Sequence, residues 1–123
     1  MPTAATVKAF VETVEAGQYI EAIERYYAPN ASMRENGAEP RVGREVLAEN
    51  ERGVMARFKS IVAKADGPAA IDGDRVAINW VFDFTRPDGG KVRLEEIAWQ
   101  RWEADKVAEE RFFYDPSQFQ TPV

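Results

Sequence analysis

The sequence predicts an α+β fold: three N-terminal helices packed on the concave side of a curved antiparallel sheet, together enclosing a cone. Three observations lead there. Apolar residues recur at helical spacing through the first third of the chain and again over Arg44–Phe58. From Ser60 onward the period changes to two, as in strands whose side chains alternate between faces. The strands so marked run to roughly ten residues against a usual ~5–6, so the sheet must twist and curve. Helices followed by an antiparallel meander is α+β order. A length of 123 residues suits a single domain spanning the whole chain.

Each element follows from its local pattern. Val7, Phe10, Val11 and Val14 stand at i, i+3, i+4 and i+7, and Gly17 supplies a C-terminal stop. A second helix is expected over Gln18–Ala28, with Ile20, Ile23 and Tyr27 on one face; Pro29 ends it, because the residue before proline is pushed out of the α region. A short extended piece, Ala31–Asn36, leads into a loop through Gly37, Pro40 and Gly43. In the third helix Leu47, Val54 and Phe58 share a face, and Gly53 weakens its middle by about 1 kcal/mol relative to Ala. Strands are expected at Ile61–Ala65, Arg75–Thr85, Lys91–Trp102 and Lys106–Tyr114. Pro87–Gly90 is a hairpin turn, and Asp115–Val123 is a tail.

Composition excludes more functions than any motif proves. Hydrophobic residues make up 45% and charged residues 30%, the balance of a globular protein. A formal charge of −5 argues against a nucleic-acid surface, which needs clustered Lys and Arg. No apolar run approaches the ~20 residues of a membrane helix and no signal peptide opens the chain, so a cytoplasmic location is expected. Cys and His are both absent. That removes thiol nucleophiles, zinc–thiolate sites and the commonest general base. Neither a dinucleotide fingerprint nor a phosphate-binding loop is present, and nothing resembles a metal loop, so no cofactor and no metal are expected. Chemistry here falls to Asp, Glu, Lys, Tyr or bound water.

The stretch Lys91–Trp102 carries the strongest site signal. One face is Val92, Leu94, Glu96, Ala98, Gln100 and Trp102; the other is Arg93, Glu95, Ile97, Trp99 and Arg101. A half-buried strand normally keeps its polar residues on one side. A carboxylate set among aromatics costs free energy unless something pairs with it, which marks a pocket lining.

Several segments resemble the nuclear transport factor 2-like superfamily, and within it the SnoaL-like proteins. They are the Ala16-Gly17-Gln18 turn between helices, YYAPNASMREN (Tyr26–Asn36), GREVL (Gly43–Leu47) and EERFFYDP (Glu109–Pro116). The resemblance covers Val7 to Pro116. It implies the cone fold, but that fold hosts isomerases, cyclases, dehydratases, hydrolases, accessory subunits and binding modules alike. Ketosteroid isomerase is a member whose chemistry can be compared by position. Superposing the Ala16–Gly17 turns puts its base at Arg34, its oxyanion-hole tyrosine at Phe10 and its second oxyanion donor at Ala98, so its mechanism does not carry over. The same superposition implies that Ser32, Arg34, Ile78, Trp80, Phe82, Glu96, Ala98, Gln100, Trp102, Glu110, Phe112 and Tyr114 look into the cone. Val81, Ile97, Trp99, Arg101 and Phe113 then cover the outer face, where relatives pair into dimers.

Two readings attach to each group. Arg34 with Glu96 and Glu110 is either a substrate-orienting acid/base set or a structural ion pair closing the cone. Gln100 either orients a ligand or satisfies a neighbouring polar group. Phe10, Ser32, Ile78, Trp80, Phe82, Ala98, Trp102, Phe112 and Tyr114 form either the wall of a ligand pocket or packed core. The expectation is a homodimeric SnoaL-like pocket protein binding a small apolar or amphipathic organic ligand. If catalytic, it is a cofactor-independent lyase or isomerase using carboxylate acid/base chemistry. The alternative is a non-catalytic ligand-binding or dimerisation module. An open cavity favours the first; a cone plugged by Trp80, Trp102 and Tyr114 favours the second.

Overall fold

A computed structural model describes residues 1–120. Thr121–Val123, the end of the expected tail, lie outside the described residues. Helix α1 spans Ala4–Glu15, capped by the Thr3 side chain, which accepts the Thr6 N–H at 3.0 Å. Gly17, at φ 80°, makes the left-handed turn that reverses the chain into α2, Tyr19–Tyr26. Strand β1 (Tyr27–Glu35) and the two-residue β2 (Arg41–Val42) precede α3, Arg44–Arg57. Five strands follow: β3 Ser60–Ala65, β4 Ala70–Asp72, β5 Arg75–Thr85, β6 Lys91–Glu103 and β7 Lys106–Phe113. A 3-10 turn, Pro116–Gln120, closes the described chain.

The seven strands form one sheet in the order β2-β1-β7-β6-β5-β3, with β4 sharing the β5 edge. One pairing departs from the antiparallel expectation: β1 runs parallel to β7, so the sheet is mixed. The meander itself is antiparallel as its turns require. Strands β5 and β6, at 11 and 13 residues, make the long twisted ribbon that curves round the helices. Burial along β6 alternates without a break from Lys91 to Gln100, matching the period-two reading of that segment.

The short strands β2 and β4 were not foreseen, and two expected elements differ in extent. Helix α2 stops at Tyr26 rather than Ala28, because Tyr27 is already extended and pairs with Val107 of β7. Strand β1 starts correspondingly early and contains a bulge: its register against β7 shifts between Tyr27 and Ser32, around Pro29. On both sides of the bulge the inward residues keep one parity, Tyr27 before and Ala31, Met33 and Glu35 after. Ala31 and Met33 are buried, whereas Ser32 and Arg34 stand on the outer side. The core is built from Val7 and Phe10 of α1, Ile23 of α2, Leu47 of α3, and the inner faces of β5 and β6. Each such fully buried apolar side chain contributes about 1.5–3 kcal/mol.

Candidate functional site

The cone is closed at its narrow end and open at its wide end. At the narrow end Trp102, 1% exposed, packs edge-on against Phe10 with ring centroids 5.9 Å apart. Ile78 and Ala98, paired across β5 and β6, pack into the same floor. Above them lies a cavity of about 370 Å³, within the range typical of small-molecule sites. Its wall is largely aromatic: Tyr27, Trp80, Phe82 and Phe112 from the sheet, Tyr114 just past β7, and Phe119 from the closing 3-10 turn.

Four glutamates reach this apolar cavity: Glu35 of β1, Glu51 of α3, Glu96 of β6 and Glu110 of β7. Glu110 is 3% exposed and held from both sides. The Tyr27 hydroxyl donates to Oε1, and Gln100 Nε2 donates to Oε2 at 2.6 Å. Gln100 in turn accepts the Trp102 indole N–H at 2.9 Å, so a chain of buried hydrogen bonds runs from the floor to the carboxylate. Burial still outweighs these donors and pushes the Glu110 carboxyl up to about 7. Tyr27, desolvated beside this carboxylate, titrates well above its ordinary 10.

Glu96 is placed differently. It is 7% exposed and lines the cavity, and among the described residues no hydrogen bond or ion pair reaches it. Desolvation, reinforced by the charges of Glu110, Glu35 and Glu51, raises its carboxyl to about 8. Glu51 is raised as well, by burial and by Glu35. Glu35 is tied to Arg41 at 3.3 Å. Arg57 stands exposed on α3 at the cavity margin.

The sequence-predicted residues divide into three groups. Phe10, Trp80, Phe82, Glu96, Glu110, Phe112 and Tyr114 line the cavity. Ile78, Ala98, Gln100 and Trp102 face inward but lie beneath it as packed floor, Gln100 serving as the buried support of Glu110. Ser32 and Arg34 do not reach it. The expected pairing of Arg34 with Glu96 or Glu110 is absent among the described residues. Arg34 instead reaches the Asn36 carbonyl at 3.4 Å, next to Arg111, whose Nε donates to the same oxygen at 2.8 Å. The inward places of β1 are Tyr27, Met33 and Glu35, one residue out of step with the superposition that put Ser32 and Arg34 in the cone. Sequence reasoning missed Tyr27, assigned to a helix, and Glu51. Glu51 was legible, as it lies on the Leu47–Val54–Phe58 stripe of α3, one polar residue on an apolar face.

On the outer face, Ile97, Trp99 and Phe113 are exposed by 40%, 42% and 43%. Arg75 sits 5.6 Å from the Trp99 ring and Arg111 4.5 Å from the Phe113 ring. This is the alternation expected of β6, with the inner set buried and the outer set open.

A helix-backed curved sheet of this kind is the architecture of the nuclear transport factor 2-like class. Within it, this chain belongs to the SnoaL-like domain family, whose model matches residues 7–110. The chain is similar to the crystal structure of a Mesorhizobium loti protein named as a SnoaL-like polyketide cyclase, with 26% identity, TM-score 0.76, and coverage of 90% of this chain and 97% of that one. A Jannaschia protein with the same designation superposes at TM-score 0.82 with 14% identity, covering 97% of this chain and 89% of that one. IdmH of Streptomyces antibioticus, named as a polyketide cyclase, superposes at TM-score 0.75 with 20% identity, covering 95% and 97%. At those two identities the likeness concerns the fold alone. No curated protein matches the sequence significantly. Among the described residues, no helix is long and apolar enough to cross a membrane.

Proposed function

We propose that this chain binds a small organic molecule in the cone and performs cofactor-independent acid–base chemistry on it, as an isomerase or lyase, with Glu96 as the proton-transfer group. One observation carries the reading: a carboxyl in an apolar cavity, unpaired among the described residues, and raised to about 8. A general base works best when its pKa lies near the working pH, and a desolvated carboxylate is a stronger base than a hydrated one. Glu96 takes a proton from an acidic C–H of the substrate. It returns that proton to a neighbouring atom in an isomerisation, or keeps it while a leaving group departs in an elimination. Glu110 has both oxygens engaged, so its part is to hold Tyr27 and add negative potential beside Glu96.

Ring opening of 5-nitrobenzisoxazole tests this without knowledge of the natural substrate. A base removes the ring C–H proton, the N–O bond breaks, and a coloured phenolate forms. The rate is expected to rise with a midpoint near pH 8 and to vanish in Glu96→Gln. An equal rate in that variant overturns the reading. A second reading, ligand binding without turnover, has its own support: the Tyr19 hydroxyl donates to the Ile61 carbonyl at 3.0 Å and Tyr27 donates to Glu110, leaving neither free for a developing oxyanion. Retained ligand with no rate dependent on Glu96 selects it. We further propose that two chains pair through the outer sheet face, where Ile97, Trp99 and Phe113 form an apolar patch suited to two-fold burial.

A further inference from the structure

The cavity combines two features that apolar pockets for neutral ligands do not need. Its wall is aromatic, and its charged groups are all acidic apart from Arg57 at the margin. From β1 it receives Tyr27 and Glu35, the latter neutralised by Arg41 of β2; from α2, Tyr19. Helix α3 contributes Asn50, Glu51 and the exposed Arg57; β7 contributes Glu110 and Phe112, and Tyr114 follows directly after it. Strand β5 brings only Trp80, Phe82 and Phe84, without charge. Glu96 therefore faces acidic or neutral groups on every side but the margin. Its own carboxyl points into the cavity with no protein donor among the described residues. The carboxylates are dispersed: among the described residues no three acidic side chains gather into a group that could hold a metal ion. A compact hard cation needs several oxygens at once, whereas a diffuse organic cation is satisfied by one carboxylate and the faces of aromatic rings.

We infer that the cavity selects organic cations, a tertiary or quaternary ammonium group on an apolar body, with the charge beside Glu96 and the body against Trp80, Phe82 and Phe112. This deepens the pocket reading above by naming its ligand class, and it holds whether or not the ligand is turned over. The mutual repulsion among Glu96, Glu110, Glu35 and Glu51 that disfavours ionisation in the empty cavity becomes attraction for a cation that enters it. Entry of the cation drives Glu96 to release its proton, so binding and proton release are coupled.

Phenyltrimethylammonium and tert-butylbenzene have the same shape and differ in charge, and neither titrates. Their binding to the full chain, read by tryptophan fluorescence and by calorimetry in two buffers of different ionisation enthalpy, tests the inference. At about pH 9, where Glu96 is ionised, the cation is expected to bind at least tenfold tighter. That preference shrinks toward pH 6, with a proton released on binding near neutrality, and Glu96→Gln loses most of it. Glu96→Asp, which keeps the charge, retains it. Equal or tighter binding of tert-butylbenzene at about pH 9, no binding of the cation at millimolar concentration, or a preference undiminished in Glu96→Gln would each overturn the inference. Loss of charge preference with benzisoxazole activity intact removes the ligand class alone. The opposite pattern removes the acid–base reading alone.

Discussion

Glu96→Gln at different pH values isolates the energetics of the cavity. In the unfolded chain this carboxyl ionises near its ordinary 4.5, whereas the fold holds it neutral to about 8. Between those values the native state binds more protons than the unfolded state, so stability falls as pH rises and levels off above about 8. Carrying a carboxyl from 4.5 to about 8, at about 1.36 kcal/mol per pH unit, corresponds to about 5 kcal/mol. That is a ceiling, because local opening admits water before the whole cost accrues. Glutamine fills the same space and does not titrate. At about pH 5 the variant and the wild type should therefore differ by less than about 1 kcal/mol. By about pH 9 the variant should be more stable by several kcal/mol. Glu110 titrates in both proteins and largely cancels from the difference. Urea unfolding midpoints across this range give the measurement. A stability difference that does not change with pH would mean that Glu96 ionises like a solvated carboxylate, and the cavity argument would fall with it.

Tyr27→Phe removes the hydroxyl that lowers the Glu110 carboxyl, so Glu110 should titrate above 7 and the fold should lose about 1–3 kcal/mol. The loss should be larger at about pH 9 than at pH 6, since the missing donor serves the ionised form; carboxyl-labelled NMR titration and urea unfolding check both parts. Trp99→Glu should break the proposed pairing of outer faces and shift the chain to monomer mass in sedimentation, leaving cavity binding unchanged; a wild-type monomer at micromolar concentration refutes the pairing.

Much of this site was legible because alternation in a long strand is a rigid rule. Lys91–Gln100 alternates without interruption, so counting by two separated Leu94, Glu96, Ala98 and Gln100 from Ile97 and Trp99, and the family resemblance then gave the face that looks inward. Trp80 and Phe82 were placed inward by the same resemblance, and the register pairs them with Glu96 and Leu94. The His-free and Cys-free composition had already confined the chemistry to Asp, Glu, Lys, Tyr or bound water.

Strand β1 is where the superposition failed, by one residue. A one-residue slip in register exchanges the two faces of a strand, and the short segment Ala31–Asn36 carries no pattern that fixes which alternate set meets the cone. That single shift exchanged Arg34 for Glu35 at the cavity and turned an anticipated ion-paired site into an acidic one. Tyr27 was hidden for a related reason: helical spacing continues through it, but its pairing with Val107 and its bond to Glu110 hold it extended. Periodicity along the chain thus decided which faces are apolar and which strands meet the cone. The partners of Glu96 and Glu110, and hence their protonation, depend on residues up to 83 positions apart that only the folded sheet brings together.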